Sequence, residues 1–230
     1  MKILLRGGRV IDPSQNIDSS MDILIEEGTI SRIENGIEPS ADMRVYDLKN
    51  MIVSPGLIDM HTHLREPGFE YKETVRTGSE AAVAGGFTAV ACMANTEPAN
   101  DNRSVTEFIL KQAQIADMAH VYPVAAISKG LQGKTLAEFA DLKNAGAVAF
   151  SDDGNPVENS GLMRNALEYA WSLGMPVISH CEDRGLAADG VMNEGIVSTL
   201  IGLQGIPTIA EDIMTARDIA IAEYTGTAVH

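Results

Sequence analysis

The sequence predicts an α/β protein: part of a (β/α)8 TIM-like barrel preceded by a small β-domain of the sandwich type. Three observations carry this. Residues 1 to about 50 are short alternating pieces broken by turn residues; from Met51 apolar strand-like runs alternate with stretches of helical period; and glycines stand where those helices should stop. A boundary is therefore expected near residue 50, with a β-domain over 1–50 and an incomplete barrel over 51–230.

In the first segment Ile3-Leu4-Leu5, Arg9-Val10-Ile11, Asp22 to Ile25, Thr29 to Ile33 and Val45 to Leu48 read as strands. Gly7-Gly8, Asp12-Pro13, Glu27-Gly28 and Asn35-Gly36 between them read as the turns of successive hairpins. No catalytic constellation is visible here, and a structural role is expected. Beyond it, strands are expected at Met51 to Met60, Phe87 to Met93, His120 to Ala126, Ala147 to Asp152 and Met175 to Cys181. Helices are expected at Lys72 to Ala84, Arg103 to Ala116, Thr135 to Asn144, Gly161 to Leu173 and Pro207 to Tyr224, with Gly85-Gly86, Gly146 and Gly174 at C-caps. Thr227 to His230 opens a sixth strand. A full barrel has eight strands and about 250 residues of its own, so this count leads to the expectation that the chain is a piece of a longer protein.

Composition narrows the partners. The 230 residues are 45% hydrophobic and 21% charged, with a formal net charge of -15. That charge disfavours nucleic acid and anionic membrane, both of which would repel it. No apolar run reaches the roughly 20 residues that span a bilayer, and Met1 to Gly8 lacks the apolar core and cleavage site of a signal peptide. A cytoplasmic protein is expected. Cys92 and Cys181 each lie in or at the end of an apolar run and read as small buried hydrophobes rather than a disulfide.

Candidate chemistry gathers at strand ends, where barrel active sites form. His61 and His63 end the first barrel strand, and residues i and i+2 of an extended chain point the same way, so both imidazoles can face one metal ion. By themselves they can equally be solvated loop residues. Asn95 follows the second strand, in a segment that also reads as a helix cap or turn. Asp152-Asp153-Gly154 ends the fourth, where turn chemistry is by itself the ordinary reading, and His180 ends the fifth, where a structural histidine is the ordinary reading. Arg65 is an always-charged, bidentate anion binder that either serves a substrate or pairs with Glu66 or Glu70. His120, at the opening end of its strand, reads as structural.

The string Asp59-Met60-His61-Thr62-His63-Leu64-Arg65-Glu66-Pro67-Gly68 resembles the metal-binding signature of the cyclic amidohydrolases, in the form found in bacterial type I dihydroorotases. Thr62 departs from the aliphatic residue more usual there, a change expected to be harmless. The resemblance implies an amidohydrolase barrel with two zinc ions per subunit, His61, His63, Asp153 and His180 as metal ligands with Asp153 bridging, and His63, Arg65 and Asn95 at the substrate. It implies reversible cyclisation of N-carbamoyl-L-aspartate to (S)-dihydroorotate in de novo pyrimidine synthesis, with a homodimer and aspartate carbamoyltransferase as the partners such enzymes have. The residues do not identify a catalytic acid or base. The resemblance puts the proton-shuttling aspartate and one more metal histidine outside these residues, the latter in a His-x-x-His whose first histidine matches His230. The 230 residues alone are accordingly expected to be inactive. Hydantoinase, dihydropyrimidinase and allantoinase share the barrel but usually bridge their metals with a carbamylated lysine at the end of strand four, where this chain has Ser151-Asp152-Asp153. A non-catalytic, dihydroorotase-like scaffold for aspartate carbamoyltransferase is the remaining alternative.

Overall fold

The computed structural model describes residues 1–230, in two compact units, Met1–Gly56 and Leu57–His230. In the first unit, β1 (Lys2–Asp12) and β2 (Ile17–Glu26) form an antiparallel hairpin through a 3-10 turn at Pro13–Gln15, and β3 (Thr29–Glu34) pairs antiparallel with β2. β4 (Met43–Asp47) and β5 (Ile52–Val53) then pair parallel to β1. The run of hairpins expected from the turn residues thus stops after β3. Gly7-Gly8 is not a turn but a bulge, where the register of β1 against β2 shifts between Leu5 and Gly8. The Asp22 carboxylate, buried inside this unit, accepts hydrogen bonds from Gly7 N at 2.8 Å and Ile37 N at 2.9 Å, which satisfies it locally.

The single strand expected over Met51 to Met60 is two strands in two units, because Ser54-Pro55-Gly56 interrupts it. In these 230 residues Ile52 and Ile58 are 66% and 67% exposed, and Leu57–Thr62 is the end strand of its sheet. β6 (Leu57–Thr62) opens the second unit and is followed by α1 (Val75–Ala84), β7 (Phe87–Cys92), α2 (Arg103–Ala116), β8 (His120–Ala125), α3 (Phe139–Ala145), β9 (Ala149–Phe150) and α4 (Ser160–Ser172). The four strands pair in parallel in the order β6-β7-β8-β9, the curled sheet of a barrel fold. The expected fifth strand, Met175 to Cys181, is reduced to bridges of Val177 with Phe150 on one side and Val229 on the other. Hydrogen bonds from Ile178 N to Phe150 O and from Ser179 N to His230 O carry the ladder across.

Helix starts follow their caps. Asn102 accepts from Val105 N ahead of α2, Thr74 from Thr77 N ahead of α1, and Asn159 from Leu162 N ahead of α4. α3 begins later than the expected Thr135, because Ser128 bridges Leu136 and Lys129–Leu131 form a 3-10 turn. After Cys181 come α5 (Arg184–Ala187), the short pair β10 (Met192–Asn193) and β11 (Gly205–Ile206) with α6 (Ile196–Ile201) between them, and α7 (Ile209–Thr225). The main core lies between sheet and helices around Phe139, Phe150, Leu142, Met163 and Leu167. Its centre is the Phe139–Phe150 stack, with ring centroids 3.8 Å apart. No helix is long and apolar enough to cross a membrane.

Candidate metal centre

His61 sits at the end of β6 and His63 just beyond it. Thr62 between them turns the other way, donating its hydroxyl to Ala91 O at 2.9 Å, while Met93 N bonds Thr62 O at 2.9 Å. This alternation puts the two imidazoles on one side, with centroids 5.2 Å apart. His61 Nε2 and His63 Nε2 lie 3.4 Å and 3.7 Å from Asp153 Oδ2, and His180 Nδ1 lies 3.4 Å from Asp153 Oδ1. One carboxylate therefore stands between the histidine pair of one strand end and the histidine of another. His61, His63 and Asp153 offer donor atoms all within 4.8 Å of one another; His180 stands outside that trio, against the opposite oxygen of Asp153.

Asp153 is 8% exposed. The His180 ring beside it holds its carboxyl at about 2, burial opposes the drop, and His61 and His63 add to it. His180 is raised in return, chiefly by Asp153. The only basic side chains at ion-pair distance from Asp153 are these imidazoles.

The donor chemistry fits a metal. The amide of Asn95 lies 3.1 Å from His63 Nδ1. Donation from Nδ1–H to Asn95 Oδ1 leaves Nε2 as the lone-pair nitrogen, facing a carboxylate oxygen. His61, His63 and Asp153 bring their donor atoms within 4.8 Å of one another, and imidazole with carboxylate is a set that zinc and its neighbours accept.

The competing readings of neighbouring residues are decided by their partners. Glu66 Oε2 accepts from Val75 N at 2.8 Å and Glu70 Oε1 from Gly68 N at 2.8 Å, so both carboxylates that were alternatives for Arg65 are engaged with backbone. Arg65 itself has a left-handed φ of 62. Asn95 is no helix cap, since Asn102 caps α2 and the Asn95 amide meets His63. At Gly68 (φ +97) an added Cβ would come 2.1 Å from Glu97 O, so the loop after β6 and the loop after β7 touch through backbone at a residue only glycine can fill.

Asp152 and Asp153 diverge completely. Asp152 accepts from Ile127 N at 2.8 Å, from Ser128 N at 2.9 Å and from the Ser128 hydroxyl, with burial pushing its carboxyl up against those hydrogen bonds. It ties the end of β8 to the turn after β9, while Asp153 faces the histidines. Cys92 is buried and Cys181 only partly so; both are free thiols.

Sequence reasoning missed Asp218 on α7, which is 2% exposed and accepts from the Ser179 hydroxyl at 2.6 Å. The signal was present: the buried residues of that helix are Ala210, Met214, Asp218 and Ala222, an apolar stripe at every fourth position with one acid in it.

Comparison with known proteins places this arrangement. A family model described as dihydro-orotase-like matches residues 50–230. A protein named dihydroorotase from Syntrophus aciditrophicus is 64% identical over 231 residues, covering 100% of this chain and 54% of the relative. Another of that name from Geobacter sulfurreducens is 56% identical with the same coverage. Among solved structures, an L-hydantoinase from Arthrobacter aurescens superposes with a TM-score of 0.75 at 17% identity, covering 99% of this chain and 51% of that one. A dihydropyrimidinase from Brevibacillus agri does so with a TM-score of 0.75 at 21% identity, over 100% of this chain and 51% of that one. At such identities these two show the barrel fold alone. The chain spans about half the length of the curated relatives it matches. Through its residues 50–230, the chain belongs to the dihydro-orotase-like family.

Proposed function

We propose that this chain is part of a dihydroorotase, a metal-dependent hydrolase of cyclic amides that interconverts N-carbamoyl-L-aspartate and (S)-dihydroorotate in pyrimidine synthesis, in the cytoplasm. The observation that carries the reading is the Asp153 carboxylate, one oxygen turned to His61 and His63 and the other to His180. A carboxylate shared in this way is suited to bridge two ions, so we assign His61, His63, Asp153 and His180 as ligands of two zinc ions. When bound, such ions supply an activated water and polarise the amide carbonyl it attacks.

The chain's own residues then have distinct tasks. Asn95 fixes the His63 ring through Nδ1 and keeps its amide hydrogens for a ligand. Arg65, whose neighbouring glutamates are bonded elsewhere, is free to grip a substrate carboxylate with its planar fork. His63, held by Asn95, is assigned to both metal and substrate in this reading. We further infer that turnover needs the strand-six histidine and strand-eight aspartate that the resemblance expects.

The hydantoinase reading lacks its lysine: Lys143 donates to Leu173 O at 2.5 Å, on the helix α3 side of the strand. The scaffold reading would discard metal ligands that are gathered here. Zinc content and carbamoyl-aspartate cyclisation, measured on the 230 residues and on a longer form with hydantoin and allantoin as competing substrates, test the proposal. Zinc bound, with dihydroorotate preferred by the longer form, supports it. A folded, metal-free longer form points to the scaffold.

A further inference from the structure

We propose that Asp218 is a positioning residue for His180, acting from α7 through the two residues that flank the histidine. The inference rests on the metal-centre reading above and assigns a task to a group that reading leaves out.

The contacts are specific. Asp218 Oδ2 accepts from Ser179 Oγ at 2.6 Å and lies 3.6 Å from Cys181 Sγ, which is itself 3.5 Å from Ser179 Oγ. Asp218 Oδ1 takes both Nε and Nη2 of Arg217, at 2.9 Å and 2.6 Å. Arg217 Nη1 in turn donates to Glu158 O at 2.9 Å, in the loop between Asp153 and α4. Residues 179 and 181 thus turn toward the helix layer, while His180 between them turns to Asp153. One carboxylate grips both neighbours of a ligand, and its arginine partner holds the loop that follows another.

Helix packing alone does not account for an acid here. The rest of the stripe is Ala210, Met214 and Ala222, and an apolar residue at 218 would pack α7 without the desolvation cost of a buried carboxylate. The backbone, meanwhile, leaves His180 loosely held. Ladder bonding stops at Ser179 N to His230 O, and the next backbone tether is Asp183 N to Ala210 O. Between those points the segment is held by the Asp218 contacts on residues 179 and 181 and by His180 against Asp153. Hydrogen-bond partners behind a metal-binding histidine are commonly worth about tenfold to a hundredfold in metal affinity.

The test loads the purified protein with Co2+, whose visible absorption reports ligand geometry, and measures chelator competition and melting temperature. Ser179→Ala removes the hydroxyl and leaves the Arg217–Asp218 pair intact; Asp218→Asn removes the charge at constant size. Both are expected to lower Co2+ affinity about tenfold to a hundredfold and to shift the cobalt bands, while Ser179→Thr, which keeps the hydroxyl, restores them. Met214→Ala, one turn away on the same stripe, is expected to lower the melting temperature and leave spectrum and affinity alone. If Asp218→Asn fails to fold, Ser179→Ala decides. The inference is overturned if Ser179→Ala keeps the wild-type spectrum and affinity, or if Met214→Ala weakens binding equally. Wild-type protein that takes up no Co2+ overturns the metal reading together with this one, before any variant is made.

Discussion

The ends of β6 and β9 both deliver a group to the same point, and they are built in opposite ways. Within these 230 residues, which span about half the length of the curated relatives, β6 pairs on one side only, with β7, and Leu57, Ile58 and Met60 on it are more than half exposed. Its imidazoles are aimed by individual hydrogen bonds, one across to β7 from the Thr62 hydroxyl to Ala91 O and one local, His61 N to the Asp59 carboxylate. β9 is only two residues long, yet every residue from Ala149 to Asp153 is buried. There the aim comes from the core, with Phe150 stacked on Phe139 and Asp152 clamped to Ile127 and Ser128. A side chain can thus be positioned by the chain's own hydrogen bonds or by the packing beneath it, and the two arrangements should fail differently.

The largest difference should come from truncating the strands themselves. Phe150→Ala opens a cavity in the centre of the core and is expected to cost about 3–5 kcal/mol, as large-to-small aromatic changes do. Ile58→Ala, at a position 67% exposed in the 230 residues, should stay within about 0.5 kcal/mol when measured on those residues. Chemical denaturation of the two variants measures this, and equal losses would erase the contrast. Next is the acid pair. Asp152→Ala strands two buried backbone N–H groups and a hydroxyl, for a loss of about 3 kcal/mol. Asp153→Ala leaves only partly exposed imidazoles behind, whose ring nitrogens water can reach; it should abolish metal binding at a smaller cost in melting temperature.

A pH titration of chelator-treated protein sharpens the same comparison. The folded-state carboxyl of Asp153 is lowered from 3.8 to about 2, so its contribution is present above 3.8 and disappears as pH falls through about 2. His180 is raised above 6.5, so the same pair stabilises below 6.5 and is lost as pH rises through the folded value. Both shifts describe one interaction and count once. The metal-free protein should have a stability plateau between these limits that Asp153→Asn removes.

What could be read in the sequence followed from local rules. His61 and His63 declare themselves by a two-residue period at the end of an apolar run, and the bounds of α2 by Asn102 and a clean helical period. What resisted reading was set by tertiary partners. Met51 to Met60 is one run in composition but divides at Pro55-Gly56, and only pairing shows that β5 joins β1 while β6 joins β7. Residues 175–181 look like a full strand and have only bridges, because their hydrogen bonds go to single residues of β9 and of the chain end. Asp153 and Asp152 are the same residue type side by side, and nothing local says which of them turns to the histidines. Arg65 and Asn95 had rival partners in sequence; in the fold Glu66 and Glu70 bond backbone N–H groups and Asn102, not Asn95, caps α2.

The smallest effect, on chemistry rather than stability, separates the two thiols along the same divide between packed strand and strand end. Cys92, at the end of β7, is 2% exposed, and burial pushes its thiol up to about 12. It therefore carries almost no thiolate at pH 8, and thiolate is the reactive form. Cys181 is partly exposed, with its sulfur against the Ser179 hydroxyl and the Asp218 carboxylate. Iodoacetamide at pH 8 on native protein should label Cys181 and leave Cys92 intact, as read by peptide mass mapping. Prior loading with Zn2+ should slow the labelling of Cys181 severalfold by stiffening the segment around His180, with no change at Cys92. Labelling of Cys92 at a comparable rate would mean that the β7 end opens in solution and is not held by packing.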